Sequence, residues 1–377
     1  MPRIAMSSVA CATSCAFTGR DPMRDVTAAD CTACFSKDVI EGALTCTGCG
    51  ARYPVIKGVP RLLAPELLAR MQKRYPEFFQ AHPEFLPSGP VAGGAFAETL
   101  ESFTRQRLDL RPPGREIAQQ WRDHLSRNLG QALHPADLRD MLVLDVGSGF
   151  GRHLYVASQS GAECVGLDLS GGVDVARVNN REYPRCHLVQ GNVLERPLRD
   201  GAFDVVWSFG VLHHMPEPEA GFRTIVPFAR SDGGLVVIWV YGYRRMAFTY
   251  KLSHMRPLHR VTRTMSDRTR VAVSKAVATV LSALYWEPLR VLRGMGVGGI
   301  VRRLPLADYA DYDWLARIAG VHDRLSTPIT HFHDGDELRG WLQRAGLSQS
   351  LVEDTDRRGW HASGRRTSPG HFDPMPA

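Results

Sequence analysis

Nowhere in the 377 residues do about 20 apolar residues follow one another, so the chain lacks the length of segment a helix needs to cross a bilayer. The nearest approach, residues 271–285, is largely apolar but too short, and it contains Lys275, which suits a packed or interfacial helix. A secretory leader is not expected either. Arg3 is the only basic residue ahead of the weakly apolar run Ile4–Phe17, and Ser and Thr interrupt that run. Residues 1–25 are therefore expected to be a disordered tail, with Met6 and Met23 as equally open starts. Net positive charge is concentrated in one place. From Gly242 to Arg303 there are 13 Lys and Arg against two acids, Asp267 and Glu287, a net of +11. The whole chain carries +7, so the remainder sums to −4. Such a concentration can hold an anionic small molecule, a phosphate-rich polymer or an acidic membrane surface, and an ordinary solvated face is the plain alternative. With 44% hydrophobic and 23% charged residues, the composition is that of a soluble globular protein with one large domain and appendages.

Cysteines are few but grouped. Cys31 and Cys34 form one C-x-x-C hook, and eleven residues later Cys46 and Cys49 form another. Two such hooks can close a tetrahedron of thiolates around zinc, and so short a segment has too few apolar residues to fold without it. Disulfides would need an oxidising compartment, and haem attachment would need His where Phe35 and Gly50 stand. With four thiolate ligands the zinc is expected to be structural, with no site for a catalytic water. Of the remaining cysteines, Cys11, Cys15, Cys164 and Cys186, the last two fall in predicted strands and read as buried thiols.

The centre of the chain is the stretch Leu142–Arg152, in which apolar residues run into Asp145 and then G-x-G-x-G at Gly147, Gly149 and Gly151. This reads as a buried parallel strand, a tight glycine turn and a helix start, where a ligand can approach the main chain. The dinucleotide fingerprint G-x-G-x-x-G is not met, because the third glycine comes one residue early and Arg152 stands in its place. That spacing favours S-adenosylmethionine (SAM) over NAD. A second strand ends at Asp168, 23 positions beyond Asp145 and close to the interval of about 20 residues at which a strand-end carboxylate meets ribose hydroxyls. Further strands are predicted over Cys186–Gln190, Phe203–Leu212 and Gly233–Tyr241, alternating with helices, which specifies a doubly wound parallel α/β sheet.

Taken in order, D-V-G-S-G-F-G from Asp145, the acid at Asp168, the strand running into His213-His214, and the late D-G-G strand resemble a class I SAM-dependent methyltransferase of the type 11 kind, over residues 137–243 and again from about 334. The resemblance implies a Rossmann-like seven-stranded sheet whose last pair is an antiparallel hairpin. It places Gly147, Gly149 and Gly151 beneath the methionine part of SAM, Asp145 beside its amino group and Asp168 on its ribose. Ser148, Leu169, Val193, Ser208 and Phe209 complete the cofactor set it implies. At the adenine end the family commonly has aspartate where this chain has Asn192, whose amide oxygen can still accept from an exocyclic amine. The segment Ala51–Leu63 resembles the last hairpin of the zinc ribbon of the small activator subunit of tRNA and release-factor methyltransferases.

Methyl transfer from a sulfonium is an in-line displacement, so the chain has to hold an acceptor and, where that acceptor is protonated, remove one proton. His213 and His214, just beyond the fourth strand, are the candidate catalytic bases, with a loop-shaping role as the alternative. Tyr241, His331 and His333 are weaker candidates for acceptor contacts. The fourth strand ends Ser208-Phe209-Gly210-Val211. It lacks the N/D-P-P-Y/F typical of enzymes acting on exocyclic amines of nucleobases or glutamine, and the Pro-Cys used at cytosine C5. A small-molecule acceptor, metabolite or lipid-like, leads. RNA, favoured by the ribbon and the basic insertion, is the alternative, although no RNA-binding module with interleaved aromatic and basic residues is recognisable. A non-catalytic SAM-binding scaffold is the second alternative.

The organisation expected is a tail to 25, a zinc ribbon over 26–65, a helical linker or cap over 66–136 with helices at Phe96–Leu108 and Arg115–Leu129, and the core over 137–243. A basic helical lid follows over 244–333, then the end of the core over 334–366 and a second tail over 367–377. In the last part Asp334 and Glu337 have the spacing of a capping box and Gly346 marks the helix stop, with strands over Leu347–Glu353 and Trp360–Arg365. A cytoplasmic location and peripheral membrane contact fit this reading, and the oligomeric state is not legible.

Overall fold

A computed structural model of the protein describes residues 41–45, 51–86, 115–242, 261–262, 265, 267–301, 304, 306–312, 314–326, 329–355 and 359–367. The chain runs β1 (Glu41–Thr45), β2 (Arg52–Ile56), β3 (Val59–Leu62), α1 (Pro65–Met71), α2 (Pro76–Ala81) and α3 (Arg115–Leu129). The central part is β4 (Leu142–Val146), α4 (Arg152–Gln159), β5 (Glu163–Asp168), α5 (Gly172–Asn179), β6 (Cys186–Gly191), β7 (Val205–Phe209), α6 (Pro218–Ile225) and β8 (Leu235–Tyr241). Then come α7 (Asp267–Leu281), α8 (Glu287–Leu292), α9 (Gly298–Val301), α10 (Trp314–Ser326), α11 (Gly335–Arg344), β9 (Leu347–Thr355) and β10 (Gly359–Arg366).

The strands form one sheet of ten, ordered β1-β2-β3-β6-β5-β4-β7-β8-β10-β9, where the sequence implied seven. The seven from β6 to β9 carry the expected parallel core with β10 antiparallel to β8 and β9. The additional three come from the N-terminal segment. It is not a separate body, because β3 pairs parallel to β6 with Arg61 opposite Gln190 and Leu62 opposite Gly191. The hairpin β2-β3 turns through Lys57 and Gly58, both at positive φ, the conformation of a tight two-residue turn that matches strand twist.

The central strands are buried along their length, as parallel strands covered on both faces must be, and alternate residues feed two separate cores. Leu144, Val146 and Val206 join Phe222 of α6 and Trp341 of α11 on one face. Val143, Val205 and Trp207 join Trp121 and Leu125 of α3 and Leu154 of α4 on the other. Helix α3 is thus a structural cover of the sheet. The expected helix at Phe96–Leu108 lies outside the described residues.

Two smaller cores complete the fold. Ile56 and Leu63 of the N-terminal strands pack with Tyr75, Phe78 and Phe79 of the α1–α2 region, and Leu169 lies against them. The insertion after β8 has its own core around Trp286, which is fully buried, donates from Nε1 to the Leu306 carbonyl at 3.1 Å and stacks on Tyr309. Strand β7 ends earlier than expected, because Gly210 at φ 77 turns the chain into a short 3-10 turn at Leu212–His214. At α11 the Asp334 side chain accepts from the Glu337 N–H at 2.9 Å, but Glu337 does not reach back. Its carboxylate meets Nδ1 of His333 instead, also at 2.9 Å. Gly346, at φ 66, stops the helix as expected.

Candidate functional site

The site lies at the C-terminal ends of β4, β5, β6 and β7. After Val146 the chain passes through Gly147 (φ 79), Gly149 (φ 57) and Gly151 (φ 78), a succession of left-handed residues that side chains disfavour. The Gly147 N–H donates to the Leu167 carbonyl at 2.7 Å, tying the loop to β5. A Cβ on Gly147 would stand 2.2 Å from Cγ2 of Val211, and one on Gly151 2.9 Å from Cβ of Ala176 in α5. The loop is therefore clamped from two sides. Its outer side is further held by α5 and the residue after it, since Asn179 donates to the Phe150 carbonyl at 2.8 Å and Asn180 to that of Gly151 at 3.1 Å.

Asp168, buried at the end of β5, faces this loop. Its Oδ2 accepts the Gly149 N–H at 2.7 Å, and its Oδ1 accepts both the N–H and the hydroxyl of Ser170, at 2.7 and 2.6 Å. The carboxylate is thereby held in one orientation from both of its oxygens. Asp145 is buried beneath the loop, and its Oδ2 stands 3.9 Å from Nδ1 of His153. Burial, and secondarily Arg152, holds His153 well below its ordinary value. Arg152 donates from Nε to Nε2 of His153 at 3.2 Å, so in the neutral ring the proton sits on Nδ1, facing Asp145. Sequence reading missed His153; its one signal is a histidine in the buried face of a helix otherwise formed by Leu154, Val156 and Ala157.

The other expected cofactor residues are more mixed. Ser208 is fully buried and donates to the Val146 carbonyl at 3.0 Å, and Phe209 packs edge-on to His153. Ser148 is buried in the loop itself, while the side chains of Val193 and Leu169 sit in apolar clusters. Asn192 caps the turn at Val193–Glu195, accepting from the Leu194 N–H at 3.1 Å and donating to Glu195 Oε1 at 3.3 Å. At Gly210 a Cβ would meet nothing within 4 Å among the described residues.

Beyond β7 and β8 the rings of His213, His214, Tyr241 and Phe332 gather. His213 stacks on Tyr241 with centroids 3.8 Å apart, His214 lies 4.2 Å from His213, and Phe332 stacks on the far side of Tyr241 at 6.1 Å. His213 is fully buried, and neither of its ring nitrogens has a hydrogen-bond partner among the described residues. Burial, followed by His214, His333 and His331, holds it well below 6.5. His214 is partly exposed, with Nδ1 2.9 Å from the Ile329 carbonyl. A carbonyl only accepts, so the neutral ring carries its proton on Nδ1 and keeps Nε2 as the basic nitrogen. The segment returning from the lid completes the wall, as the His331 and His333 N–H groups donate to the carbonyls of His213 and Tyr241.

Cys31, Cys34, Cys46 and Cys49 lie outside the described residues. Strands β1 and β2 bring Thr45 opposite Arg52, so the connection carrying Cys46 and Cys49 leaves and re-enters at adjacent points. Among the described residues no group of three or more His, Cys, Asp or Glu could hold a metal ion, and no helix is long and apolar enough to cross a membrane.

Residues 144–237 match a family described as a methyltransferase domain. The chain is 33% identical over 111 residues to the chloroplastic tocopherol O-methyltransferase of Arabidopsis thaliana, which covers 28% of this chain and 31% of the relative. It is 38% identical over 103 residues to a tRNA methyltransferase 9B homologue of Mus musculus, covering 26% and 22%. It thus spans about a third or less of the length of these relatives. Among solved structures, the magnesium protoporphyrin IX methyltransferase of Synechocystis with bound SAM aligns over 74% of this chain and all of that one, with 13% identity and a TM-score of 0.40. The matched core is a SAM-dependent methyltransferase domain.

Proposed function

We propose that the whole chain transfers a methyl group from SAM to an O, N or C atom of a small, lipid-like acceptor. The observation that carries this reading is the wall of rings at the ends of β7 and β8, half-buried and apolar with imidazole edges, beside the glycine loop. Flat apolar molecules with one ionisable group suit such a wall. The name of the Arabidopsis relative, an O-methyltransferase of tocopherol, fits the same acceptor class.

The residues fit the cofactor. The left-handed glycine loop offers main-chain surface, Asp168 presents a pre-oriented carboxylate for a ribose hydroxyl, and Asp145 offers a buried negative charge to an ammonium. Asn192 retains acceptor capacity for an amine, with Leu169 and Val193 contributing backbone and Ser148, Ser208 and Phe209 shaping the floor. SAM supplies an electrophilic methyl on a sulfonium. The chain excludes water, aligns the acceptor, and takes a proton at Nε2 of His214, while the buried His213 stacks beneath Tyr241 and supports that wall.

Cys31, Cys34, Cys46 and Cys49 hold a structural zinc that pins the hairpin tip of β1 and β2, and the enzyme is cytoplasmic. The meeting of Thr45 and Arg52 around the second hook supports that ligand set, which metal analysis of the purified protein tests by finding or not finding one zinc per chain. The second reading, an RNA acceptor, is favoured by the +11 net charge of residues 242–303 and by the name of the mouse relative. Incubation with methyl-labelled SAM and separated lipid, metabolite and RNA fractions of the host decides between them. Label is expected in the lipid or metabolite fraction, and label confined to RNA reverses the assignment.

A further inference from the structure

We propose that the outer face of the lid binds an anionic lipid surface. Of the twelve large hydrophobic residues that stand exposed among the described residues, ten lie between 261 and 314. The most exposed are Leu284 (76%), Met295 (72%), Ile300 (69%), Val291 (63%) and Val280 (56%). Between α7 and the break at Gly296 (φ 89), a stretch that includes a wider π turn at Ser282–Trp286, Val280, Leu284, Val291 and Met295 follow one another at steps of four, seven and four, intervals that bring them toward one side.

The same run buries a different set inside the lid, namely Ala278, Trp286, Leu289 and Val301. A lid that only covered the acceptor would need one apolar face, and this one has two. At Gly294, Gly296, Gly298 and Gly299 a Cβ would meet nothing within 4 Å among the described residues.

Charge selects the occupant. Residues 242–303 carry a net +11 in sequence, with Lys275 exposed on α7 and Arg290, 3.5 Å from Glu287, exposed on α8. A second copy would bring one strongly basic segment against another, which like-charge repulsion opposes. RNA would neutralise the charge but has no use for exposed Leu, Met and Ile. An anionic bilayer surface satisfies both, by accepting apolar side chains at the acyl boundary and basic ones among its headgroups. Trp314, 45% exposed, adds an amphipathic ring of the kind that settles at that boundary.

The lid also touches the chemistry. Its returning segment bonds the carbonyl of Ile329 to His214 and the N–H of His331 to the His213 carbonyl, so a surface-bound lid sets the ring wall next to the phase in which a lipid-like acceptor would dissolve. That consequence rests on the acceptor class proposed above; the surface binding does not.

Co-flotation of the full-length, metal-loaded protein with phosphatidylcholine vesicles, with and without about a third phosphatidylglycerol, tests the proposal. Wild type is expected to float with the anionic vesicles and not with the neutral ones. The double variant Leu284→Glu/Met295→Glu is expected to bind at least about tenfold more weakly, with cofactor affinity and melting temperature unchanged. Absence of flotation, or flotation that the double variant leaves intact, overturns the inference. So does a dimer, or an RNA complex, that the double variant abolishes while vesicles fail to bind. Because cofactor binding and methyl transfer are measured separately, a failure here is distinguishable from a failure of the enzymatic reading.

Discussion

Arg61, on β3, donates from Nη1 to Oε1 of Gln190 on β6 at 2.8 Å. Gln190 in turn donates from Nε2 to the carbonyl of Leu169 at 2.9 Å, the residue directly after Asp168. The other guanidinium nitrogen reaches Asp174 of α5 at 2.6 Å and the Ile56 carbonyl at 3.0 Å, and Tyr75 donates its hydroxyl to the same Asp174. Arg61 is fully buried, so this network is desolvated, and burial first of all pushes the Tyr75 phenol up to about 12. The N-terminal strands thus do more than extend the sheet: they hold, through one side chain, the turn that follows Asp168.

Arg61→Ala removes the nearer of the two positive partners of Asp174, leaving Arg74 at 3.7 Å, and takes the Arg61 donor from the Gln190 amide oxygen. A stability loss of about 3–5 kcal/mol is expected from denaturant unfolding, as for other broken buried pairs. The variant is also expected to bind SAM more weakly by calorimetry, and unchanged cofactor affinity would show that the link to Leu169 is without consequence.

At Gly147 the backbone angle and the space can be separated. Gly147→Ala is expected to abolish measurable SAM binding and to cost about 1–3 kcal/mol, because alanine would be strained at φ 79 and would collide with Val211. Adding Val211→Ala removes the collision and leaves the strain. Partial recovery of the melting temperature in the double variant is the expected result.

Asp168→Asn keeps the shape of the side chain but has one accepting oxygen for two sets of donors, the Gly149 N–H on one side and Ser170 on the other. One of these loses its acceptor, at a cost of about 1–3 kcal/mol. SAM affinity is expected to fall at least about tenfold, read by equilibrium binding; Asp168→Glu should not restore it, since the longer chain displaces the carboxylate from the Gly149 N–H.

His214→Gln is expected to lower kcat by about 10²-fold or more while the SAM dissociation constant stays within error. A fall in affinity with kcat preserved would mark His214 as a loop residue and remove it from the reaction.

Three buried histidines, His153, His213 and His361, are each held below 6.5, in every case chiefly by burial. In the unfolded chain they protonate near their ordinary value of about 6.5, so below that pH the unfolded state binds more protons than the folded one. Stability is therefore full above about pH 6.5 and falls as the pH drops, by up to about 1.4 kcal/mol per unit for each group. Urea unfolding across this range should show a steeper acid slope for the wild type than for His213→Phe.

Much of the core was legible in sequence because parallel strands and glycine turns are local devices. The strand into Asp145, the three glycines and the interval to Asp168 needed only backbone angles and hydrophobic runs to be read, and the structure puts the loop and the carboxylate in hydrogen-bond contact at 2.7 Å. The division of labour between His213 and His214 was not legible. The two rings are neighbours on a short turn with centroids 4.2 Å apart, and only the packing of Tyr241 and the returning lid segment makes one buried and leaves the other partly exposed. His153 was invisible for the same reason, since its meaning comes from Asp145 beneath it and Arg152 beside it.

The sequence by itself determined the nucleotide-binding core, the spacing of the cysteine hooks and the concentration of positive charge in the insertion, all properties carried by neighbours along the chain. Only the tertiary structure decided that the N-terminal strands join the sheet through Arg61 and Gln190, 129 residues apart, and that the insertion turns a second apolar face outward. Edge pairing and surface exposure depend on which segments meet in space, and hydrophobic pattern alone does not say which of two apolar faces another part of the chain will cover.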